Sequence, residues 1–328
     1  MSYSGLSDEN CGEPTLSGEG LVERLLAGDR RALARVISRL EREDPETPEV
    51  VAELYPHTGQ ALSVGFTGPP GVGKSSIIAK LIELYRKEGK SIGVVSVDPS
   101  SPFSKGAILG DRIRLSDHFL DPGVFIRSMG SRGHLGGLAS ASKLAALAME
   151  AAGMDVVLYE TVGVGQGEVE VASAADTVVL ALQPGTGDAV QALKAGVMEI
   201  ADIFCINKAD HPQAHGASNE VRSILEIGEE LDPRPWFPPI IMTRGDTGEG
   251  IEELEAAIEK HRSYLEESGG LEERRKASLR EFVISWAKDR LEREMQQRLD
   301  REDAELMQRV YERELDPISA SEKLFREV

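Results

Sequence analysis

The sequence predicts an α/β fold in which helices flank a mostly parallel central sheet, with short helices before it and a charged helical arm after it. Three observations carry this expectation. Apolar runs of strand length alternate with helical patterns from about residue 60 to about residue 268, the mark of parallel strands joined by crossover helices. A glycine-rich loop lies between the first such run and the first such helix. Beyond Ser268-Gly269-Gly270 the composition turns abruptly to long charged helices.

Residues 1–19 are polar, Gly- and Ser-bearing and aperiodic, so a flexible tail is expected. Leu21, Leu25, Leu33, Val36, Ile37 and Leu40 form a helical stripe broken at Gly28-Asp29, which predicts two short helices. With a third helix around Pro48–Tyr55, residues 20–59 read as a helical extension. Strands are predicted at Ala61–Thr67, Ser91–Val97, Val124–Ser128, Asp155–Glu160, Thr177–Gln183, Ile203–Asn207 and Pro239–Thr243. Between them fall helical patterns at Lys74–Glu88, Leu135–Ala152, Asp188–Glu199, Ala214–Glu230 and Gly250–Glu267. Continuous apolar runs such as Val156–Tyr159 and Val178–Leu182 suit strands covered on both faces. Residues 60–268 therefore form the main domain and 269–328 the arm, with helices over Leu271–Leu299 and Asp303–Leu315. On the first of these, Leu279, Phe282, Val283, Trp286, Ala287 and Leu291 make one apolar face. That face must be covered by the main domain, a second copy or a partner, and a dimerisation arm is the expectation.

The 328 residues hold 37 Lys and Arg against 56 Asp and Glu, a formal net charge of −19. Such an excess of acid argues against nucleic acid or an anionic membrane as a partner, because both need a basic surface. Cys11 and Cys205 are too few and too far apart for a disulfide framework or a CxxC site. No basic, apolar leader opens the chain, and no uncharged apolar stretch reaches the ~18 residues of a membrane span, so the cytoplasm is the expected location.

Gly68-Pro69-Pro70-Gly71-Val72-Gly73-Lys74-Ser75, followed by Ser76, fits the P-loop pattern and sits between a strand and a helix as that pattern requires. Its glycines let successive N–H groups point into one concavity, the helix N-terminus adds a positive dipole end, and Lys74 brings a charge to the outer phosphates. Ser75 is the expected Mg²⁺ ligand. The base is indicated by Asn207-Lys208-Ala209-Asp210, directly after the apolar run Ile203–Ile206. A carboxylate at Asp210 accepts from the N1–H and exocyclic amine of guanine, whereas adenine offers no such donor pair, so GTP and GDP are expected over ATP. Asn207 would tie this loop to the P-loop, and the Lys208 stem would cover a base face. Carboxylates near strand ends are candidates for Mg²⁺ and γ-phosphate sensing: Asp98, Asp111 and Glu160. Glu160-Thr161-Val162-Gly163 has the form D-x-x-G with Glu for Asp, and the Gly163 N–H is placed to contact a γ-phosphate.

These runs, with Val97–Pro102, Gly110–Arg112, Arg127–Gly137 and Glu160–Gln166, resemble the MeaB/ArgK family of P-loop GTPases over nearly the whole chain. The resemblance implies a signal-recognition-particle-like GTPase with a helical N-terminal extension, a central GTPase domain and a C-terminal dimerisation arm, hence a homodimer. It implies a chaperone of an adenosylcobalamin-dependent acyl-CoA mutase, chiefly methylmalonyl-CoA mutase, that gates cofactor delivery and protects the mutase from inactivation. By the same resemblance Lys74, Ser75, Asp98, Asp111 and Glu160 form the phosphate and Mg²⁺ site. Gln183–Lys194 matches a mobile segment through which the mutase stimulates hydrolysis, with Gln191 and Lys194 its polar positions. They are expected to complete the catalytic site only in the complex, leaving turnover slow without the partner, since the chain shows no built-in catalytic Gln or Arg finger. One departure stands at Thr243-Arg244-Gly245, where the family commonly has Thr-Ser-Ala against the guanine oxygen. Thr243 matches, and backbone N–H groups serve whatever the side chains.

Two other readings fit a P-loop. A nickel-type metallochaperone GTPase predicts His runs or paired Cys, whereas His57, His118, His134, His211, His215 and His261 are dispersed. A small-molecule kinase predicts an Arg-rich lid and no N-K-x-D element, and Asn207–Asp210 speaks against it.

Overall fold

The computed structural model describes residues 20–98, 115–130, 135–161, 174–185, 197–301 and 304–326. The apolar runs become strands β1 (Leu62–Thr67), β2 (Ile92–Asp98), β3 (Val124–Gly130), β4 (Val156–Thr161), β5 (Thr177–Leu182), β6 (Ile203–Ile206) and β7 (Ile240–Met242). They form one sheet in the order β3-β2-β4-β1-β5-β6-β7, and every neighbouring pair is parallel. The predicted strands are all present, shifted by a residue or two at their ends. Every residue of β1, β4 and β5 is buried, as continuous apolar runs in the middle of a two-faced sheet should be.

Alternate residues of one strand feed opposite layers, as the two-residue period of a strand demands. On one side Leu62, Val64, Phe66, Ile92, Val94, Val156 and Leu158 pack with α4 (Lys74–Lys87) and with the later helix Ile251–Ser268. On the other, Val95, Val97, Val157 and Tyr159 pack beneath α5 (Leu135–Ala151). The N-terminal helices α1 (Leu21–Leu26), α2 (Arg30–Arg42) and α3 (Thr47–Leu54) cover α5 in turn, and Leu25, Leu33, Val36, Ile37, Leu40 and Leu54 join its apolar cluster. The break at Gly28-Asp29 has a local cause. Gly28 takes a left-handed φ of +84°, and Asp29 caps α2 by accepting from the N–H groups of Arg31 and Ala32. The chain continues with α6 (Val197–Ile200), α7 (Ala214–Leu231), α8 (Ile251–Ser268), α9 (Gly270–Arg301), α10 (Ala304–Tyr311) and α11 (Pro317–Arg326). The predicted helix Asp188–Glu199 falls mostly outside the described residues, as does the predicted tail 1–19. Among the described residues no helix is long and apolar enough to cross a membrane.

A parallel sheet has two unlike edges, and the edge at the strand N-termini holds the arm. Asp155, Asp176 and Asp202 each stand immediately before a strand. Asp155 accepts from the N–H and hydroxyl of Ser91, and Asp202 from Val178 N–H at 2.8 Å. Arg274 of α9 forks onto Asp202 at 2.6 and 2.9 Å, while Arg275 forks onto Asp176 at 2.6 and 3.0 Å. Arg275 also donates to the Gly59 and Ala61 carbonyls, so the arm, the strand ends and the segment leading into β1 share one polar cluster. Burial holds the His261 imidazole below its ordinary pKa although Asp202 lies beside it. A neutral ring fits its neighbours, with Nδ1 accepting from Thr177 Oγ1 at 2.9 Å and Nε2 turned to Asp202 at 3.4 Å.

The apolar face expected on Leu279–Leu291 is divided between two fates. Phe282 and Trp286 pack onto the cluster under α5, with Lys143 donating to the Ser278 carbonyl and lying 5.9 Å from the Phe282 ring centroid. Leu279 and Val283 remain exposed. A helix carrying apolar residues at both i+3 and i+4 spreads them over a stripe wider than one flanking helix covers.

Arg274→Ala leaves Asp202 buried without its bidentate partner. The expected loss is about 2–4 kcal/mol, near the cost of breaking a buried pair, read as a lower urea midpoint at unchanged slope. A second expectation concerns pH. The unfolded chain takes up a proton on His261 below its ordinary pKa of 6.5 that the folded ring refuses, so stability is full above that pH and falls as pH drops through it. Between about pH 7.5 and about pH 5.5 the wild-type urea midpoint should fall more steeply than that of His261→Gln, and parallel curves would remove His261 as the cause.

Candidate nucleotide site

At the other edge, the C-terminal ends of β1, β2, β4, β5, β6 and β7 bring the sequence candidates together. The P-loop turns out of β1 into α4. Its first glycine has no room for a side chain, because a Cβ on Gly68, at φ +141°, would lie 2.1 Å from the Ala181 carbonyl oxygen of β5. At Gly73, φ +98°, a Cβ would lie 2.4 Å from Nδ2 of Asn207. The loop is thus pressed against β5 on one side and the loop after β6 on the other. Gly73 starts α4 without a side-chain cap, so the N–H groups of the first turn are left for an anion. Lys74 is buried and donates to the Gly68 and Pro69 carbonyls at 2.6 and 2.9 Å. Its ammonium therefore lies folded over the loop, within reach of the concavity it encloses.

Ser75 and Glu160, 85 residues apart in sequence, are hydrogen-bonded, the Ser75 hydroxyl donating to the carboxylate. Both are buried. Ser96 of β2, in register with Glu160, donates to its second oxygen at 3.3 Å. Thr161 donates to the Phe66 carbonyl at 3.2 Å and locks β4 to β1 beside the loop. Asp98 is the last residue of β2 and stands at this same edge by its register position. Asp111, Gly163, Gln191 and Lys194 lie outside the described residues.

Asn207 joins three loops. Its Nδ2 donates to the Val72 carbonyl at 2.7 Å, and its Oδ1 accepts from Gly245 N–H at 3.0 Å and Thr243 Oγ1 at 3.3 Å. Lys208 sits at φ +59°, a left-handed turn that sends its stem back across the loop, where Nζ donates to the Gly71 carbonyl at 3.2 Å and to Gln183 Oε1. Asp210 stays exposed beside Lys208, its carboxylate 3.6 Å from Nε of Arg244. Cys205 is fully buried against Thr243, and burial pushes its thiol up to about 12, so it serves packing and not chemistry.

Sequence reasoning missed Ser96, Gln183 and the ion pair of Arg244. Ser96 had a signal, a polar residue inside the apolar run Ile92–Val97. For Gln183 and Arg244 the contact depends on loops from different strands meeting, and no local pattern marks it.

A parallel sheet with a P-loop on its first strand, a carboxylate on the neighbouring strand end and an N-K-x-D loop two strands away defines a P-loop nucleotide hydrolase. The family model for "Methylmalonyl Co-A mutase-associated GTPase MeaB" matches residues 30–300. The chain belongs to this family and is a GTPase, a binder of guanine nucleotides. A Pyrococcus abyssi protein designated a GTPase is 46% identical over 310 residues, covering 94% of this chain and 96% of that one. GTPase ArgK of Escherichia coli is 35% identical over 281 residues, covering 84% and 83%. The crystal structure of an LAO/AO transport system kinase superposes with a TM-score of 0.67 at 27% identity, over 93% of this chain and 95% of that one.

Gly73→Ala forces a Cβ onto Asn207 and a side chain into left-handed backbone. GDP affinity is expected to fall about tenfold to 100-fold in a calorimetric titration. Gly89→Ala is the control, because Gly89 has a similar φ of +82° with nothing within 4 Å. Equal losses in the two variants would show that backbone strain alone, and not the bond to Asn207, governs binding.

Proposed function

We propose that this GTPase is a chaperone of an adenosylcobalamin-dependent acyl-CoA mutase, methylmalonyl-CoA mutase first among them, which gates cofactor loading and protects the mutase. The family match over residues 30–300 carries this reading, since it spans both the nucleotide site and the first half of the arm. Residues 20–59 act as a helical extension, 60–268 as the GTPase domain and 269–328 as the arm, in a protein of the cytoplasm. Exposed Leu279, Val283, Met307, Tyr311, Ile318 and Phe325 support a second copy as the arm's partner.

In the site, Lys74 and the N–H groups of Gly71 to Ser76 hold the β- and γ-phosphates. Asn207, Lys208 and Asp210, with Thr243 and the backbone of Arg244 and Gly245, hold guanine. Ser75 and Glu160, with Asp98 and Asp111, are the residues for Mg²⁺, and the oxygen-only pair Ser75–Glu160 suits that hard cation. Bound there, Mg²⁺ would neutralise charge on the transferred phosphoryl group. Glu160 is held by two hydroxyls from different elements, so its carboxylate is pre-oriented toward the P-loop before any nucleotide arrives. Gly163 senses the γ-phosphate. Gln191 and Lys194 complete the catalytic site only in the complex with the mutase.

The test mixes the purified chain with methylmalonyl-CoA mutase. A nucleotide-dependent complex should elute in gel filtration, and GTP turnover should rise at least about tenfold. Lys194→Ala should remove the increase while the complex still forms. Absence of any complex in both GDP and GTP-analogue states would sink the chaperone reading and leave a GTPase with another partner.

A further inference from the structure

Arg244 lies just after β7, and the structure gives it three acidic neighbours. Nη2 donates to Asp246 Oδ2 at 3.1 Å, Nη1 lies 3.9 Å from Glu249 Oε2, and Nε lies 3.6 Å from Asp210 Oδ1. The backbone holds the residue as firmly as the side chain. Arg244 N–H donates to the Glu249 carbonyl and Gly248 N–H returns to the Arg244 carbonyl, both at 2.8 Å. Gly250 closes the turn at φ +77°, where a Cβ would lie 2.0 Å from the Met242 carbonyl oxygen. Ala209 N–H donates to the Thr243 carbonyl at 3.0 Å, so the Asp210 loop and the Arg244 loop are laced together one residue from each side chain.

The decisive detail is Nε of Arg244, a buried donor without a hydrogen-bond partner. Such groups are rare in folded proteins, where a buried donor is normally met by a protein group, a water or a ligand. The Asp210 carboxylate faces it at 3.6 Å, just beyond bonding distance, and is itself 58% exposed. An ionised carboxylate has about four lone-pair positions, and the edge of guanine would use two of them. A third is open to Nε–H.

The geometry points to Arg244 as the positioning residue for Asp210: anchored by Asp246 and Glu249, its guanidinium braces the carboxylate against rotation and so sets how strictly guanine is preferred. This rests on the reading of Asp210 as the guanine acceptor. An exposed, unbraced carboxylate gives up rotational freedom each time a base binds, whereas a braced one is already ordered. An ordinary surface pair would count for little, but here one donor is buried and the partner loop is fixed by backbone bonds.

The experiment titrates GDP, IDP and ADP into the full-length wild type, Arg244→Ala, Asp210→Ala and the double variant. IDP lacks the exocyclic amine, so the ratio of GDP to IDP affinity reports how well the carboxylate engages both donors. Arg244→Ala should weaken GDP about tenfold and IDP about threefold, and should change GDP affinity less than about twofold once Asp210 is absent. Arg244→Lys should restore part of the ratio, since it keeps the charge and loses the fork. Equal weakening of all three nucleotides, or an undiminished loss in the Asp210→Ala background, would overturn the proposal. If Asp210→Ala loses the preference for GDP over ADP and Arg244→Ala leaves the GDP-to-IDP ratio unchanged, Arg244 fails while Asp210 stands. If Asp210→Ala keeps that preference, the reading of Asp210 fails and the proposal with it. Should Arg244→Ala melt early, Asp246→Asn combined with Glu249→Gln loosens the anchor without removing the guanidinium and should narrow the same ratio. An unchanged ratio there would count against the brace.

Discussion

The carboxamide of Asn207 is held at both ends, its nitrogen by the P-loop carbonyl of Val72 and its oxygen by the loop after β7. The two loops leave different strands, and each must hold its place relative to the other to within a fraction of an ångström for a nucleotide to be bound between them. One buried side chain with a donor and an acceptor meets both demands, which a carboxylate or an alkyl group could not. The close approach of Gly73 to its nitrogen, and of Gly68 to β5, follow from the same packing. The P-loop has its shape because two neighbouring elements press it, and glycine is present where they press hardest.

The sheet separates two tasks by direction. All strands run the same way, so backbone carbonyl ends and loops gather at one edge and N–H ends at the other. Chemistry sits at the first edge. At the second, Asp176 and Asp202 meet two adjacent arginines of α9, and His261 is kept neutral among them. β5 and β6 run from this clamp to Gln183 and Asn207, so the arm is fastened to the far ends of the strands that position the base loop. The overall charge of −19 says nothing of either edge: a buried lysine and the uncapped first turn of α4 stand at one, and acids are matched by arginines at the other.

Much of the fold was legible because its signals are local. Strands covered on both faces need continuous apolar runs, crossover helices need a 3.6-residue stripe, and a P-loop needs its glycines at fixed spacing. The end of α8 was equally plain, with Gly269 in left-handed backbone where the composition changes. The acidic clamp left a fainter trace. Asp155, Asp176 and Asp202 each precede a strand, a repetition that is visible in the chain but has meaning only once α9 lies across the sheet. The division of the α9 face could not be read at all, since periodicity shows that a stripe is apolar and not which neighbour covers it.

The sequence by itself determined the sheet, the glycine-rich P-loop motif, the N-K-x-D tetrapeptide and the GTPase family, because each depends on residues near one another in the chain. Only the tertiary structure decided which distant groups meet: Glu160 with Ser75 and Ser96, Lys208 with Gln183, Arg244 with Asp210, and Arg274 with Asp202. A hydrogen bond or ion pair requires donor and acceptor within about 3 to 4 Å, and across 25 to 85 residues that proximity is set by strand order and loop packing, which no local pattern encodes.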